Sequence, residues 1–234
     1  MSTLVLRAIA GVGPVALVQV VCASTAFIQP SVFRSLMLPS KKTGDPADMV
    51  LREIEEMGRR SFTPSIGPVK GRILAEVVRS HKPRKILEVG SLYGYSTILI
   101  AVNSPAHAEI TTVEKDSQHA RITEQNVERA GLVDQVKVIQ GDAKEILPKL
   151  PGLFDLVVLD AEKSQYLDCL KLVEEKLHQK SVVVADNVGV FKDQMTNYLD
   201  YVRNTGRYRS RTVETFLEFS ETTRDAMEIS EKRY

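Results

Sequence analysis

The sequence predicts an α/β protein: a doubly wound, mainly parallel sheet with helices on both faces and a C-terminal antiparallel strand pair. Three observations predict it. From Lys85 onward, short β-branched runs alternate with segments of helical apolar spacing, the pattern of parallel strands joined by crossover helices. One run, Phe154–Leu159 (FDLVVL), is almost wholly apolar, as a strand covered on both faces must be. The 234 residues, 43% of them hydrophobic, suffice for one such domain plus an N-terminal extension.

The elements follow in order. Met49, Val50, Ile54 and Met57 recur at helical spacing behind a charged outer face, which gives a first helix after Pro46. A second helix is expected over Val69–Ser80, with Val69, Ile73, Leu74 and Val77 on its apolar stripe. Lys85–Val89 (KILEV) is the first strand, followed by a helix over Ser96–Val102. Ile110–Val113 is the second strand, and Ser117–Ala130 its helix. Val136–Ile139 is the third, with a short helix over Lys144–Leu147. Phe154–Leu159 is the fourth, a helix over Tyr166–Leu177 follows, and Ser181–Ala185 (SVVVA) is the fifth. Segments near Arg209–Thr212 and Thr215–Phe219 are expected to supply the closing antiparallel pair.

Residues 1–43 read differently. No charged side chain occurs between Arg7 and Arg34, and Ala8–Phe27 is mostly small and apolar. This suits a cleavable targeting peptide, with small residues at 22–26 as its cleavage region. It also approaches the ~20 residues that span a bilayer, so a retained anchor is the alternative. The Ala23–Phe27 stretch is similar to the cleavage region of presequences for complex algal plastids. A secretory or organellar route, or an anchored protein with a soluble catalytic domain, is therefore expected, with membrane contact confined to residues 8–27. Residues 44–234 form the globular domain.

A net charge of +1 supplies no basic field for nucleic acid. The two cysteines, Cys22 and Cys169, have no partner at metal-ligand spacing, and His81, His107, His119 and His178 show no paired spacing. A small-molecule substrate is left as the expected partner, and a monomer as the expected state.

In doubly wound sheets, ligands bind outside the carboxyl ends of the strands, near the switch in strand order. The first strand runs into Glu88-Val89-Gly90-Ser91-Leu92-Tyr93-Gly94-Tyr95-Ser96, where the glycines permit a tight turn close to a ligand. The spacing is G-x-x-x-G, neither a dinucleotide fingerprint nor a phosphate-binding loop with its lysine. The second strand ends in Glu114, placed to accept hydrogen bonds from ribose hydroxyls, and the third in Gly141-Asp142-Ala143, where a polar group meets a purine edge. Each is weak alone, since an acid after a strand is often a helix cap. Together they point to an adenosine-containing cofactor. The fourth strand delivers Asp160 and then Lys163, the fifth Asp186-Asn187. Three oxygen ligands at adjacent strand ends suit a hard cation such as Mg²⁺, against the plainer reading of caps and turns.

These motifs resemble the catechol O-methyltransferases, cation-dependent enzymes with the Rossmann-like class I methyltransferase fold that use S-adenosylmethionine. The resemblance covers roughly residues 44–234. It rests on Gly67-Pro68-Val69-Lys70-Gly71, Ile86–Ser96 (ILEVGSLYGYS), Val184–Val188 (VADNV) and Phe216-Leu217-Glu218-Phe219. It implies Asp160, Asp186 and Asn187 as metal ligands, Lys163 as the catalytic lysine, and Glu218 as acceptor from the spectator hydroxyl. It implies cofactor contacts at Glu88, Gly90, Tyr95, Ser96, Glu114, Ala143 and Asp160, with the backbone of Ile66 and Gly67 near the methionine part. The chemistry suits these residue types. A phenol with a pKa near ~10 is a poor nucleophile at neutral pH, a cation chelating both oxygens favours the phenolate, and a neutral lysine can take the proton.

The chain also departs from the animal enzymes. Ala161 and Glu162 follow the first metal aspartate where those have His and Trp, and no tryptophan occurs at all. Phe62 and Phe191 are the expected aromatic substitutes. The Asp-Ala-Glu-Lys-Ser-Gln-Tyr string leans towards plant and bacterial enzymes that methylate caffeoyl thioesters and other catechols. A dinucleotide-dependent oxidoreductase lacks its fingerprint here. A non-catalytic scaffold of the same fold would not be expected to keep Asp160, Lys163, Asp186, Asn187 and Glu218 together.

Overall fold

The computed structural model describes residues 44–60, 64–220 and 222–234. The expectations for residues 1–43 and for Phe62 lie outside these residues. No helix among the described residues is long and apolar enough to cross a membrane.

Seven strands form one mixed sheet in the order β3-β2-β1-β4-β5-β7-β6. The parallel part comprises β1 (Lys85–Val89), β2 (Glu109–Glu114), β3 (Val136–Gln140), β4 (Phe154–Leu159) and β5 (Leu177–Ala185). It is closed by β6 (Tyr208–Phe216) and β7 (Arg224–Lys232), with β7 antiparallel to both β5 and β6. The helices are α1 (Pro46–Arg60), α2 (Gly67–His81), α3 (Tyr95–Asn103), α4 (Ser117–Arg129), α5 (Ala143–Ile146), α6 (Tyr166–Val173) and α7 (Thr196–Asn204).

The period-2 alternation of each strand divides the core into two layers. Ile86, Leu156, Val158, Val182 and Val184 face one layer, with Leu74, Val78, Ile98 and Val127 from α2, α3 and α4. Leu87, Val89, Val157, Leu159 and Val183 face the other, with Tyr166, Leu170, Tyr198 and Val202 from α6 and α7. Both faces of β4 are therefore buried, as its apolar run requires.

Three expectations are corrected. The closing pair is not Arg209–Thr212 with Thr215–Phe219: β6 runs unbroken from Tyr208 to Phe216, taking in the first segment and the start of the second, its partner is β7, and Phe219 lies in the connecting turn at φ 53. The helix starting at Tyr166 stops at Val173, and β5 begins at Leu177 rather than Ser181. The early part of β5 is exposed at His178, Gln179 and Lys180, which hid it. On α2 the buried face is rotated from the expected stripe: Val69 is 37% exposed, while Lys70 is fully buried beside Leu74 and Val77.

Candidate active site

The order of strands reverses between β1 and β4, and there the carboxyl ends open into a cleft of about 450 Å³. Its adenosine-facing end, as read from the sequence, is lined by Gly90, Leu92, Glu114, His119 and Ala143, and its other end by Asp160, Lys163, Asn187, Phe191 and Glu218. Of the candidate residues, Gly90, Glu114, Ala143, Asp160, Lys163, Asn187 and Glu218 line this one cleft.

Gly90 has φ +93, and a Cβ there would sit 2.2 Å from the Asp160 carbonyl oxygen. Only glycine lets β1 and β4 close so tightly at the floor of the cleft. Glu114 is anchored by backbone amides: Oε2 accepts from Ser91 and Leu92 at 3.0 Å each, and Oε1 from Asp116 at 2.9 Å. The carboxylate at the end of β2 therefore shapes the glycine turn as well as facing the cleft.

Other candidates are turned to different partners. The Asp142 carboxylate caps α5 through the Lys144 amide at 2.9 Å and pairs with Lys115 at 2.9 Å. Tyr95 is buried beneath α1, its hydroxyl donating to Glu55 at 2.6 Å. Ser96 and Glu88 lie behind the glycine turn. Glu88 is fully buried, with Oε2 accepting from Thr97 and Oε1 left without a hydrogen-bond partner. Burial pushes it up to about 7 although the hydroxyls of Ser96, Thr97 and Thr112 oppose the shift. Ile66 and Gly67 begin α2, and Gly67 packs on Glu218.

Lys163 follows β4 and donates to Asp160 Oδ1 at 2.8 Å and to the Tyr166 hydroxyl at 3.0 Å. Tyr166 in turn donates to the Asp186 carbonyl at 3.2 Å. Burial acts to lower the pKa of Lys163, but the carboxylates of Asp160 and Asp186 outweigh it and hold the lysine above its ordinary value. Behind it lies a cluster that the sequence reading did not assemble. Lys70, fully buried, donates to Asp186 Oδ2 at 2.8 Å, to Asp225 Oδ2 at 2.9 Å and to Glu218 Oε1. Ligand oxygens of Asp186, Glu218 and Asp225 lie within 4.8 Å of one another, and the Lys70 ammonium binds all three. Burial opposes its charge, yet the three carboxylates hold Lys70 above the ordinary lysine value. A lysine sharing a helical face with Leu74 and Val77 was the available signal for this cluster. Asp225 carried none, since β7 was not read as a strand.

The donor set fits a divalent cation. Asp160, Asp186, Glu218 and Asp225 set four carboxylates against the ammoniums of Lys70 and Lys163, a net charge of −2 when all are ionised, with both ions of every pair largely out of water. Asp186 Oδ1 is buried without a hydrogen-bond partner. Burial pushes Asp186 up to about 7 despite the pull of Lys70, with Asp160 and Glu218 adding to the rise. A carboxylate so placed lacks a positive partner on its Oδ1 side.

Known proteins agree with this architecture. A family model described as O-methyltransferase matches residues 43–212. Catechol O-methyltransferase B of Danio rerio is 35% identical over 184 residues, covering 76% of this chain and 69% of that protein. A transmembrane O-methyltransferase homolog of Mus musculus is 34% identical over 204 residues, covering 84% of this chain and 78% of the other. The crystal structure of an O-methyltransferase from Bacillus cereus in complex with SAH superposes with a TM-score of 0.74 at 22% identity, covering 87% of this chain and 96% of that one. With the family model spanning most of the chain and relatives above 30% identity, the chain belongs to the O-methyltransferase family.

Proposed function

We propose that the protein transfers a methyl group from S-adenosylmethionine to one hydroxyl of a catechol, with Asp160, Asp186 and Asn187 holding a divalent cation such as Mg²⁺. The observation that carries this reading is the excess of acidic groups over ammoniums, four carboxyls against two, around a buried, unpartnered Asp186 Oδ1 in a site of oxygen donors. When bound, S-adenosylmethionine would supply the sulfonium methyl, and the cation a positive charge that would favour the phenolate.

The chain's own residues do the rest. Gly90, Glu114 and Ala143 line the end of the cleft that suits the adenosine moiety. Lys163, in its neutral form, takes the phenolic proton. Because Asp160 and Asp186 hold it protonated, Lys163 must first release its own proton to solvent, which requires its ion pair with Asp160 to loosen. Glu218 engages Lys70 and Asn187 through Oε1, which leaves Oε2 to accept from the second hydroxyl. Phe191 and Leu217 supply the apolar walls of the substrate end. Fixing the nucleophile in line with the methyl group is worth several kcal/mol of barrier, up to ~7–11 in well-oriented cases.

A methyl-transfer assay over a panel of catechols, caffeoyl thioesters included, tests this. Turnover is expected to vanish with EDTA and return with Mg²⁺. Turnover indifferent to EDTA overturns the cation; no transfer to any catechol overturns the substrate class.

A further inference from the structure

We infer that Asp225 is a positioning residue for the cation site: together with Glu218 Oε1 it fixes which face of the Asn187 amide looks into the cleft. The inference rests on the proposed cation site and deepens it.

The hydrogen bonds leave one solution. Asn187 Nδ2 donates to Glu218 Oε1 at 3.0 Å and to Asp225 Oδ2 at 2.9 Å. Carboxylates only accept, so the nitrogen of this amide must face them. An amide is trigonal, with its oxygen on the opposite side from its nitrogen. The Asn187 oxygen is therefore directed away from both carboxylates, on a residue that lines the cleft. A cation needs that oxygen; the reversed amide would offer it two N–H donors.

Asp225 is itself over-determined. It is 3% exposed. Its Oδ2 also accepts from Lys70 at 2.9 Å, and its Oδ1 accepts from the backbone amides of Gly189 at 3.1 Å and Val190 at 3.0 Å. Both oxygens are thus saturated by four donors, three of them from the turn that carries Asn187. That turn packs directly on the start of β7: a Cβ on Gly189 would lie 2.7 Å from the Ala226 nitrogen. Asn187 is itself held at φ 59, in the left-handed region. Lys70 completes the frame, its three protons going to Asp186, Glu218 and Asp225. In Asp225→Asn every orientation of the new amide sets donor against donor, either at Asn187 and Lys70 or at the Gly189 and Val190 amides. Where the new amide opposes Asn187, relief comes from moving Asn187 off it at the cost of the bond to Glu218 Oε1, so the Asn187 oxygen is no longer held towards the cleft.

The test measures Mg²⁺ affinity by calorimetry and Mn²⁺ affinity by electron paramagnetic resonance, with S-adenosylmethionine affinity alongside as the control on fold. Asp225→Asn is expected to weaken cation binding by about 10–100-fold, the usual effect of losing the partner that orients a ligand, with S-adenosylmethionine affinity unchanged. The exchange Asn187→Asp with Asp225→Asn should recover most of that loss, because a carboxylate at 187 presents oxygen either way round. Unchanged cation affinity in Asp225→Asn, or an exchange no better than Asp225→Asn alone, overturns the inference. Wild type that binds neither cation removes the cation site itself, and the inference with it. Should Asp225→Asn not fold, nuclear magnetic resonance of the wild type decides. The two Asn187 Nδ2 protons are expected to be shifted downfield, slow to exchange with water and little moved by Mg²⁺; protons averaged with solvent overturn the inference.

Discussion

At the end of β1 the Glu88 carboxylate is fully buried, and burial raises it to about 7. A carboxyl group raised in the folded state binds its proton more tightly there than in the unfolded chain. Stability therefore falls as pH climbs from the ordinary carboxylate range to about 7, by up to about 3 kcal/mol. Glu88→Gln is expected to remove this slope, so that urea unfolding shows a larger advantage of the variant over wild type at pH 8 than at pH 5. An equal gap at both pH values overturns it. Glu114 acts differently because three backbone amides hold it. Glu114→Ala should weaken S-adenosylmethionine binding by roughly 1.5–3 kcal/mol in calorimetry and also lower the melting temperature, since the glycine turn loses its acceptor. A lower melting temperature with unchanged affinity would make Glu114 an anchor of the turn alone. Lys163→Ala should slow turnover by about 10²–10⁴-fold, with a residual rate that rises with pH as hydroxide replaces the amine. An unchanged pH profile would remove the lysine from proton transfer.

Among the elements, Asp155 of β4 is a staple. Its Oδ2 accepts from the Arg84 and Lys85 amides at 2.6 and 2.8 Å, fixing the start of β1, and its Oδ1 meets His178 Nε2 of β5 at 2.7 Å. The hydrogen bond to Asp155 raises His178. Burial works to raise Asp155, but His178 and the Lys85 and Arg84 amides bring it below the ordinary value. The His178 contribution is complete below the ordinary histidine value and is lost as pH rises through its raised one. The Asp155 contribution is complete above the ordinary aspartate value and is lost as pH falls through its lowered one. The pair is well exposed and screened by solvent, so Asp155→Asn should cost no more than about 1 kcal/mol near pH 6 and less at pH 9, read from denaturant midpoints. The same elements show what the sequence conceals. Strands β1 and β4 are legible because their apolar runs match burial on both faces, and β2 and β3 because β-branched residues recur between turn and helix signals. Strand β7 is not, because its burial is polar: Glu228 is 1% exposed and pairs with Arg203, and Ser230 is fully buried. Glutamate and serine in that setting read as surface. The α2 stripe is misread for a related reason: Val69, the more apolar residue, is the exposed one, and its neighbour Lys70 is buried.

Over the whole molecule, local pattern located the cleft, since strand ends can be counted along the chain. It did not reveal which carboxylates meet behind the cleft, because Lys70, Asp186, Glu218 and Asp225 come from α2, the end of β5, the turn after β6 and the start of β7. That meeting depends on long-range pairing, above all on β7 lying between β5 and β6 although it is the last strand in chain order. During synthesis the chain leaves the ribosome from its first residue onward, so β5 waits with one edge bare while α7 and β6 are made. A bare edge invites pairing with another chain, which makes this interval the one most exposed to misassembly. Only when β7 slots in are the β5 edge covered and Asp225 delivered to the lysine. Completion of the sheet and completion of the charge cluster are thus a single event in time: Lys70 receives its third carboxylate only as the last edge is covered.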